Sequence, residues 1–372
     1  MIRAADVPRR AEGGRGWIGW IAWGLCFLSG IVVGAGGRDA GLLPGIPGWT
    51  QGDGASFREV RGEEDFYVAD GLAGHLHKPH AVRTTGWDEH PDQVLHLSTN
   101  NLGFREDADT PILKPEGTFR VLVTGDSHID GVVPNSESFS NRLEALLNGA
   151  SSRQGYEVIN GGTGHYGPFN YEGFLDKFLD LRPDAFIVVV FSGNDFLDAV
   201  RTAQKRRMIE VPERPAGYMP RLAETASDHS NAVWQGLNQA YFFKATPQLQ
   251  ATATGVAAER LEGIARTCAL QSIELFVVVL PTACDLEAGY CGEAAEKLGL
   301  GPRDVGVNRR LGERLLLRLH RQGIRTLDPL ADMRHSNEKL FWRHDHHLSD
   351  RGHELLAELF FEEFGVLGAG SA

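Results

Sequence analysis

The sequence is short of basic charge. Its 372 residues include 37 Lys and Arg against 49 Asp and Glu, which gives a formal net charge of −12. A nucleic-acid-binding protein needs a basic surface, so this balance argues against a nucleic-acid partner. Cysteine is scarce as well, with four residues and no Cys-x-x-Cys pair, which argues against a metal site built from thiols. Internal repeats and low-complexity tracts are absent, so no repeat architecture is expected.

Long uncharged runs are also absent, with one exception near the N-terminus. Residues 16–37 carry no charged side chain, and roughly 20 such residues span a bilayer as a helix. Four arginines precede this run and one follows it closely. The positive-inside rule therefore predicts a cytoplasmic basic tail at 1–16, a transmembrane signal-anchor at 17–37 and a body outside the cytoplasm. The alternative is a cleaved signal peptide, which would leave a secreted protein.

Export bears on the cysteines. Cys284 and Cys291 lie seven residues apart in a loop-like stretch, and they could form a disulfide in an oxidising compartment. Cys268 falls on the apolar face of a predicted helix, where it is expected to be a small buried side chain.

Composition changes along the chain predict its organisation. Residues 38–56 are rich in Gly and Pro and are predicted to be a linker. Residues 57–118 contain short, weakly alternating segments, which predict an irregular, β-leaning extension that packs on the main domain. The main domain is predicted at 119–366, followed by a tail at 367–372.

The main domain alternates short apolar runs with amphipathic helical stretches. Runs that are apolar on both faces indicate buried parallel strands, so we expect three α/β/α layers around a mostly parallel five-stranded sheet. The predicted strands are 119–125, 157–161, 185–192, 274–281 and 324–330, and helices are predicted near 136–148, 256–270 and 306–322. The segment 196–254 is longer than a crossover needs, and it is either extra helical packing or a lid over the site.

Small polar clusters follow the predicted strands. Ligands of open α/β sheets bind at the carboxyl ends of the strands, so these clusters are expected to meet. They are GDSH (125–128), NGGTG (160–164), SGND (192–195) and, before the last helix, DHHLS (345–349).

In this order, the clusters resemble the conserved blocks of the SGNH/GDSL hydrolase superfamily, over about residues 119–366. The resemblance implies a flavodoxin-like fold and a serine nucleophile at Ser127. It places the oxyanion glycine at Gly162, with Gly161 as the less favoured register, and the oxyanion asparagine at Asn194. The upstream segment NLGFRE (101–106) also resembles exported members, and it implies no role.

The last block of the resemblance gives the acid Asp345 and the base His347. The spacing is Asp-x-His where many members have Asp-x-x-His, and His346 directly follows the acid, which favours His347 as the base. The first block has His128 where many members have Leu. This GDSH form resembles domains that act on bacterial envelope glycans, O-acyltransferases among them.

Elementary chemistry agrees with these roles. A serine hydroxyl is a poor nucleophile until a base takes its proton; His347 would do this, oriented by Asp345. The oxyanion of an attacked ester needs donors already in place, which would be the N–H groups of Ser127 and Gly162 and the Asn194 amide.

The sequence therefore predicts an esterase that cleaves O-acyl groups, O-acetyl groups among them, from a small-molecule or glycan ester. An O-acyltransferase acting on an envelope polysaccharide with the same triad is the alternative. No cofactor is predicted. No metal is predicted either, because consecutive residues such as 344–347 rarely converge on one ion. A glycan-binding protein with an inactive site is a third hypothesis, but such a protein would be expected to lack a catalytic residue, and none is missing.

Overall fold

The computed structural model describes residues 58–59, 66–151, 155–287 and 289–368. The predicted basic tail, signal-anchor and linker lie outside the described residues. Within the described part of the chain, no helix is both long enough and apolar enough to cross a membrane.

Five parallel strands form the central sheet, and they confirm the sheet predicted from the sequence. The ten strands of the described residues are β1 (Arg58–Glu59), β2 (Tyr67–Asp70), β3 (Gly74–His77), β4 (Ala81–Gly86), β5 (Val94–Ser98), β6 (Thr118–Gly125), β7 (Gly155–Asn160), β8 (Ala185–Phe191), β9 (Glu274–Leu280) and β10 (Arg325–Leu327). The central sheet has the order β10-β9-β8-β6-β7, which is the flavodoxin-like order. β10 is shorter than predicted, because Pro329 cannot donate to the sheet and a helix starts at Leu330.

Helices connect and cover these strands. They are α1 (Ser127–Asp130), α2 (Phe139–Ala150), α3 (Pro168–Phe178), α4 (Asp195–Lys205), α5 (Tyr218–Asp228), α6 (Ser230–Ala232), α7 (Asn238–Ala245), α8 (Leu249–Gln271), α9 (Ala283–Leu286), α10 (Gly292–Lys297), α11 (Pro302–Val305), α12 (Val307–Arg321), α13 (Leu330–His335) and α14 (Asp350–Phe364). The three helices predicted within the main domain correspond to α2, α8 and α12. Ser349 caps α14 by accepting the Gly352 N–H, as its position before the helix predicts.

The core lies on both faces of the sheet. β8 alternates between them: Phe186, Val188 and Val190 pack into one hydrophobic cluster, whereas Ile187 and Val189 pack into the other. Helices α3, α4, α8 and α12 contribute to the first cluster, and α2 and α14 contribute to the second. The result is the predicted three-layer arrangement, in which every β8 side chain is buried.

The segment before β6 contains strands of its own. β2 and β3 form an antiparallel hairpin, and β4 pairs with β1 in parallel and with β5 in antiparallel orientation. Phe104, from the loop after β5, packs its ring 4.7 Å from that of Phe178 on α3. The extension therefore lies directly on the main domain.

The long segment after α4 is helical. Tyr218, Leu222, Leu237 and Phe242 from this segment are buried in the same cluster as one face of the sheet. A kinked π-helical turn at Val233–Leu237, in which Gln235 and Gly236 depart from helical backbone angles, joins α6 to α7. The segment thus contributes core packing, and one side chain of the π-helical turn also reaches the candidate site.

Candidate active site

The first polar cluster forms a tight turn where β6 ends. Asp126 caps α1, and its Oδ1 accepts the His128 N–H at 2.9 Å. Ser127 is the first residue of α1 and is partly exposed, whereas Asp126 and His128 are each 1% exposed. The Ser127 N–H has no hydrogen-bond partner within the described residues. The sheet therefore delivers the predicted nucleophile at its carboxyl edge, with a free backbone donor.

The last cluster forms a pair of an acid and an imidazole. Asp345 Oδ1 lies 2.5 Å from Nδ1 of His347 and also accepts the His347 N–H at 2.8 Å. The loop that carries them is closed by a bridge between Phe341 and Leu348. The predicted orientation of His347 by Asp345 is therefore present in the structure.

Electrostatics favour a charged state of this pair. Burial opposes ionisation of Asp345, but the adjacent His347 outweighs it and holds the pKa of the carboxyl well below its usual range. Burial likewise opposes a charge on His347, and the Asp345 carboxylate outweighs it and raises the pKa of the imidazole. Such a pair stabilises the imidazolium that a general base becomes.

Ser127 and His347 are not joined by a hydrogen bond. Nε2 of His347 is buried and has no hydrogen-bond partner among the described residues. The ring of His128, next to Ser127, has its centre 5.2 Å from the centre of the His347 ring. Catalytic hydrogen bonds of this kind often close only in the complex with substrate. The structure thus brings the acid and the base together and leaves the third contact open.

His346 has a different environment from its neighbour. Its ring centre lies 3.9 Å from that of His347, and its carbonyl accepts a hydrogen bond from the side chain of Gln235. Burial, followed by the proximity of His347, lowers the pKa of His346 to about 3. The Asp345 carboxylate makes its hydrogen bonds to His347, which is the residue that the sequence favours as the base.

Asn194 links the third cluster to the first. It precedes α4 at the carboxyl end of β8, and its Nδ2 donates to Asp126 Oδ2 at 3.0 Å. An asparagine amide has two donor hydrogens, so one remains for a further acceptor. Burial raises the pKa of Asp126 to about 6, although the His128 N–H and the Asn194 amide oppose the shift.

The glycine loop lies against the nucleophile turn. A Cβ on Gly162 would come within 2.4 Å of the backbone N of Asp130, so only glycine fits there. Its N–H, however, already donates to Oδ1 of Asn160 at 3.0 Å. Gly162 lies next to the nucleophile turn, as the predicted oxyanion role requires. To donate to an oxyanion, its N–H would have to give up the hydrogen bond to Asn160. The alternative Gly161 also donates elsewhere, to Val123 O at 2.9 Å.

Two side chains that the sequence analysis did not single out hold the loop of the acid and the base. Glu89, from the extension, accepts the N–H groups of Arg343 and His344 at 2.8 and 2.7 Å. Gln235, fully buried in the π-helical turn, donates to the carbonyl of His346 and accepts the Ala283 N–H at 2.7 Å. No local sequence signal could have found these contacts, because they join distant parts of the chain.

The same loop offers a group of possible metal ligands. One ligand atom from each of Asp345, His346 and His347 lies within 4.8 Å of the others. The Asp345 carboxylate is already bound to Nδ1 of His347 at 2.5 Å, so this nitrogen is not open to an ion.

One disulfide lies beside the π-helical turn. Cys284 and Cys291 form a disulfide, and Sγ of Cys284 lies 3.4 Å from the carbonyl oxygen of Gln235. Cys268 is a buried free thiol, and burial raises its pKa to about 12.

Several solved structures resemble this chain. A member of the lipolytic protein G-D-S-L family from Veillonella parvula DSM 2008 is 12% identical with a TM-score of 0.37, over 67% of this chain and 100% of the other. The acetyl xylan esterase AlAXEase is 13% identical with a TM-score of 0.38, over 66% and 99%. TesA is 12% identical with a TM-score of 0.40, over 66% and 98%. No family model and no curated protein matches the sequence. These identities and TM-scores report a similarity of structure and carry no assignment of activity.

Proposed function

We propose that this protein is a serine hydrolase that cleaves carboxylic esters, with Ser127 as nucleophile, His347 as general base and Asp345 as its orienting acid. The observation that carries the proposal is the hydrogen bond between Asp345 and Nδ1 of His347, which leaves Nε2 free at the sheet edge where β6 delivers Ser127. An imidazole held in this way is suited to take a proton from a hydroxyl.

The reaction has two halves. In the first, Oγ of Ser127 attacks the ester carbonyl carbon, and its proton passes to Nε2 of His347. The oxyanion accepts one hydrogen bond from the Ser127 N–H and one from the second hydrogen of the Asn194 amide. The carbonyl then re-forms, the alcohol leaves with the proton from His347, and the acyl group stays on Ser127.

In the second half, water attacks the acyl group. His347 takes a proton from the water, and the oxyanion uses the same donors as before. When the carbonyl re-forms, Ser127 leaves with the proton from His347 and the carboxylic acid is released. Gly162 supplies a third donor if its N–H releases its hydrogen bond to Asn160 and donates to the oxyanion instead.

The proposed substrates are O-acyl esters, including O-acetyl esters, of a small molecule or a glycan. If the hydroxyl of an envelope polysaccharide replaced water in the second half, the same acyl-enzyme would make the protein an O-acyltransferase. Product analysis separates the two: free acid as the sole product supports hydrolysis, whereas an acylated oligosaccharide formed from an added acceptor supports transfer.

We also propose that residues 17–37 anchor the protein in the cell membrane with the body outside the cytoplasm. The disulfide of Cys284 and Cys291 fits an oxidising compartment. The test is fractionation of cells that express the full chain, with protease added from outside. Recovery in the membrane fraction and digestion of the body support the anchor. Release of the body without residues 17–37 would instead support a cleaved signal.

Hydrolysis of p-nitrophenyl acetate by the full chain in detergent tests the proposed chemistry. We expect the wild type to release nitrophenol and Ser127→Ala to lose at least about 1000-fold in kcat, because the nucleophile is gone. Equal rates for the two proteins would refute the assignment.

A further inference from the structure

One arginine of the extension is fully buried beside the nucleophile turn. Arg105 belongs to the segment NLGFRE, to which the resemblance gave no role, and its side chain is 0% exposed. The guanidinium donates to the Asp130 carbonyl at 2.7 Å, to Asp130 Oδ1 at 2.9 Å and to the carbonyl of Gly131 at 3.1 Å. It also donates to the carbonyl of Val133 at 2.9 Å and to Oδ1 of Asn135 at 3.0 Å. The arginine therefore holds the backbone that follows Ser127.

Asp130 connects the arginine to the glycine loop, because its carboxylate accepts hydrogen bonds from both. It lies three residues after Ser127 in α1, and the Gly131 N–H closes the turn on the Ser127 carbonyl at 3.0 Å. Oδ2 of Asp130 accepts the N–H of Gly164 at 3.1 Å and lies 3.1 Å from Nε2 of His77. One carboxylate thus joins the extension, the nucleophile turn and the glycine loop.

The surroundings of Asp130 favour the charged form of its carboxylate. Burial opposes its ionisation, but His77 and then Arg105 outweigh burial and hold the pKa of Asp130 well below its usual range. Removal of the guanidinium would leave this carboxylate buried with less compensation, which is strongly unfavourable. Lysine cannot replace the arginine in full, because a single ammonium nitrogen cannot reach the acceptors that the planar fork reaches.

We propose that Arg105 is a positioning residue for the reaction. It fixes the turn that presents the hydroxyl and the N–H of Ser127, and through Asp130 it fixes the glycine loop relative to them. The inference rests on the proposed function and adds to it, because a residue of the extension then helps to position the active site. A displacement of about 1 Å at a reacting group can cost about 100-fold in rate.

The test compares Arg105→Lys with a matched control, Arg120→Lys, in the full chain. Arg120 is also 0% exposed, and it donates to Oε2 of Glu157 at 2.7 Å and to the Leu181 carbonyl at 2.9 Å. It lies near the start of β6, at the end of the strand remote from Ser127. Both variants remove donors from a buried guanidinium site, so both are expected to lower the Tm.

Only Arg105→Lys is expected to change the chemistry. It should lower kcat for p-nitrophenyl acetate by about 10- to 100-fold with KM changed by less than about threefold, whereas Arg120→Lys keeps kcat within about twofold. The rate at which a fluorophosphonate probe labels Ser127 should fall with kcat. If Arg105→Lys does not fold, Asp130→Asn serves in its place, and the same loss of kcat and labelling is expected.

The inference is overturned if Arg105→Lys loses as much Tm as Arg120→Lys but keeps kcat and the labelling rate within about threefold of the wild type. The same result for a folded Asp130→Asn would also overturn it. A failure of the proposed function has a different signature: the wild type would neither hydrolyse the ester nor take the label.

Discussion

Asp345 holds Nδ1 of His347 at 2.5 Å, while Nε2 of the same ring is buried with no hydrogen-bond partner among the described residues. A buried polar atom without a partner costs free energy, and such atoms call for an explanation. In the proposed mechanism this unbonded nitrogen is the one that receives the proton of Ser127. Asp345→Asn and His347→Ala test this asymmetry of the ring.

Asp345→Asn should slow the reaction and shift its pH dependence. The base works only when it is neutral, so kcat/KM rises with pH as His347 loses its proton. The Asp345 carboxylate raises the pKa of His347 against the effect of burial, and its removal should move the acidic limb of the profile to lower pH. The plateau should fall by about 1000- to 10,000-fold, because the amide favours the wrong tautomer. An acidic limb at an unchanged pH would contradict the role of Asp345.

The two adjacent histidines should differ in their effect. His347→Ala removes the base and should lower kcat by at least about 1000-fold, whereas His346→Ala should keep it within about tenfold. Parallel assays with a chelator should show no loss, since no step uses a metal ion. Comparable losses for both variants together with inactivation by the chelator would instead favour a metal site at Asp345, His346 and His347.

Asn194→Ala should lower kcat by about 100- to 1000-fold with little change in KM, because it removes one preorganised oxyanion donor. Asn148→Ala is a suitable control. Asn148 uses its amide for two hydrogen bonds, both to the backbone of Tyr156 at the start of β7, so the variant Asn148→Ala should keep full activity. If Asn194→Ala kept kcat within threefold of that control, the amide would have no place in the oxyanion hole.

A partly buried acid near the glycine loop should make stability fall as the pH rises. Glu106 accepts the Asn160 N–H at 2.7 Å, and burial raises its pKa to about 8. Between the ordinary glutamate pKa of about 4.3 and that value, the folded chain keeps a proton that the unfolded chain has lost. Stability therefore decreases through this window and levels off above it.

The glutamine side chain of Glu106→Gln does not titrate, so the Tm of this variant should depend less steeply on pH. We expect the Tm of the variant to rise relative to that of the wild type from pH 5 to pH 8, as measured by thermal unfolding in a series of buffers. Parallel curves for the two proteins would show that Glu106 has an ordinary pKa.

Local sequence patterns were sufficient to predict the sheet and the polar clusters at the carboxyl ends of its strands. The apolar runs predicted the five strands, and the polar clusters that follow three of them predicted where Ser127, Gly162 and Asn194 would lie. These features could be predicted because each depends on a short stretch of chain and on the general geometry of parallel sheets.

Contacts between distant segments could not be predicted in this way. Glu89 binds the backbone at Arg343 across more than 250 residues, and Arg105 reaches the nucleophile turn from a segment with no recognised role. The hydrogen bond from the Gly162 N–H to Asn160 could not be predicted either, because the sequence does not show whether a backbone N–H is free or already bonded. The pKa of Glu106 could not be predicted either, because it depends on the burial of the side chain in the folded chain.

The most direct test of the central claim is to map a covalent adduct after the full chain reacts with a fluorophosphonate. We expect one adduct, on Ser127, formed in step with the loss of esterase activity and slowed strongly in His347→Ala. Inactivation with the adduct on another residue, or hydrolysis of the ester by a protein that takes no label on Ser127, would contradict it.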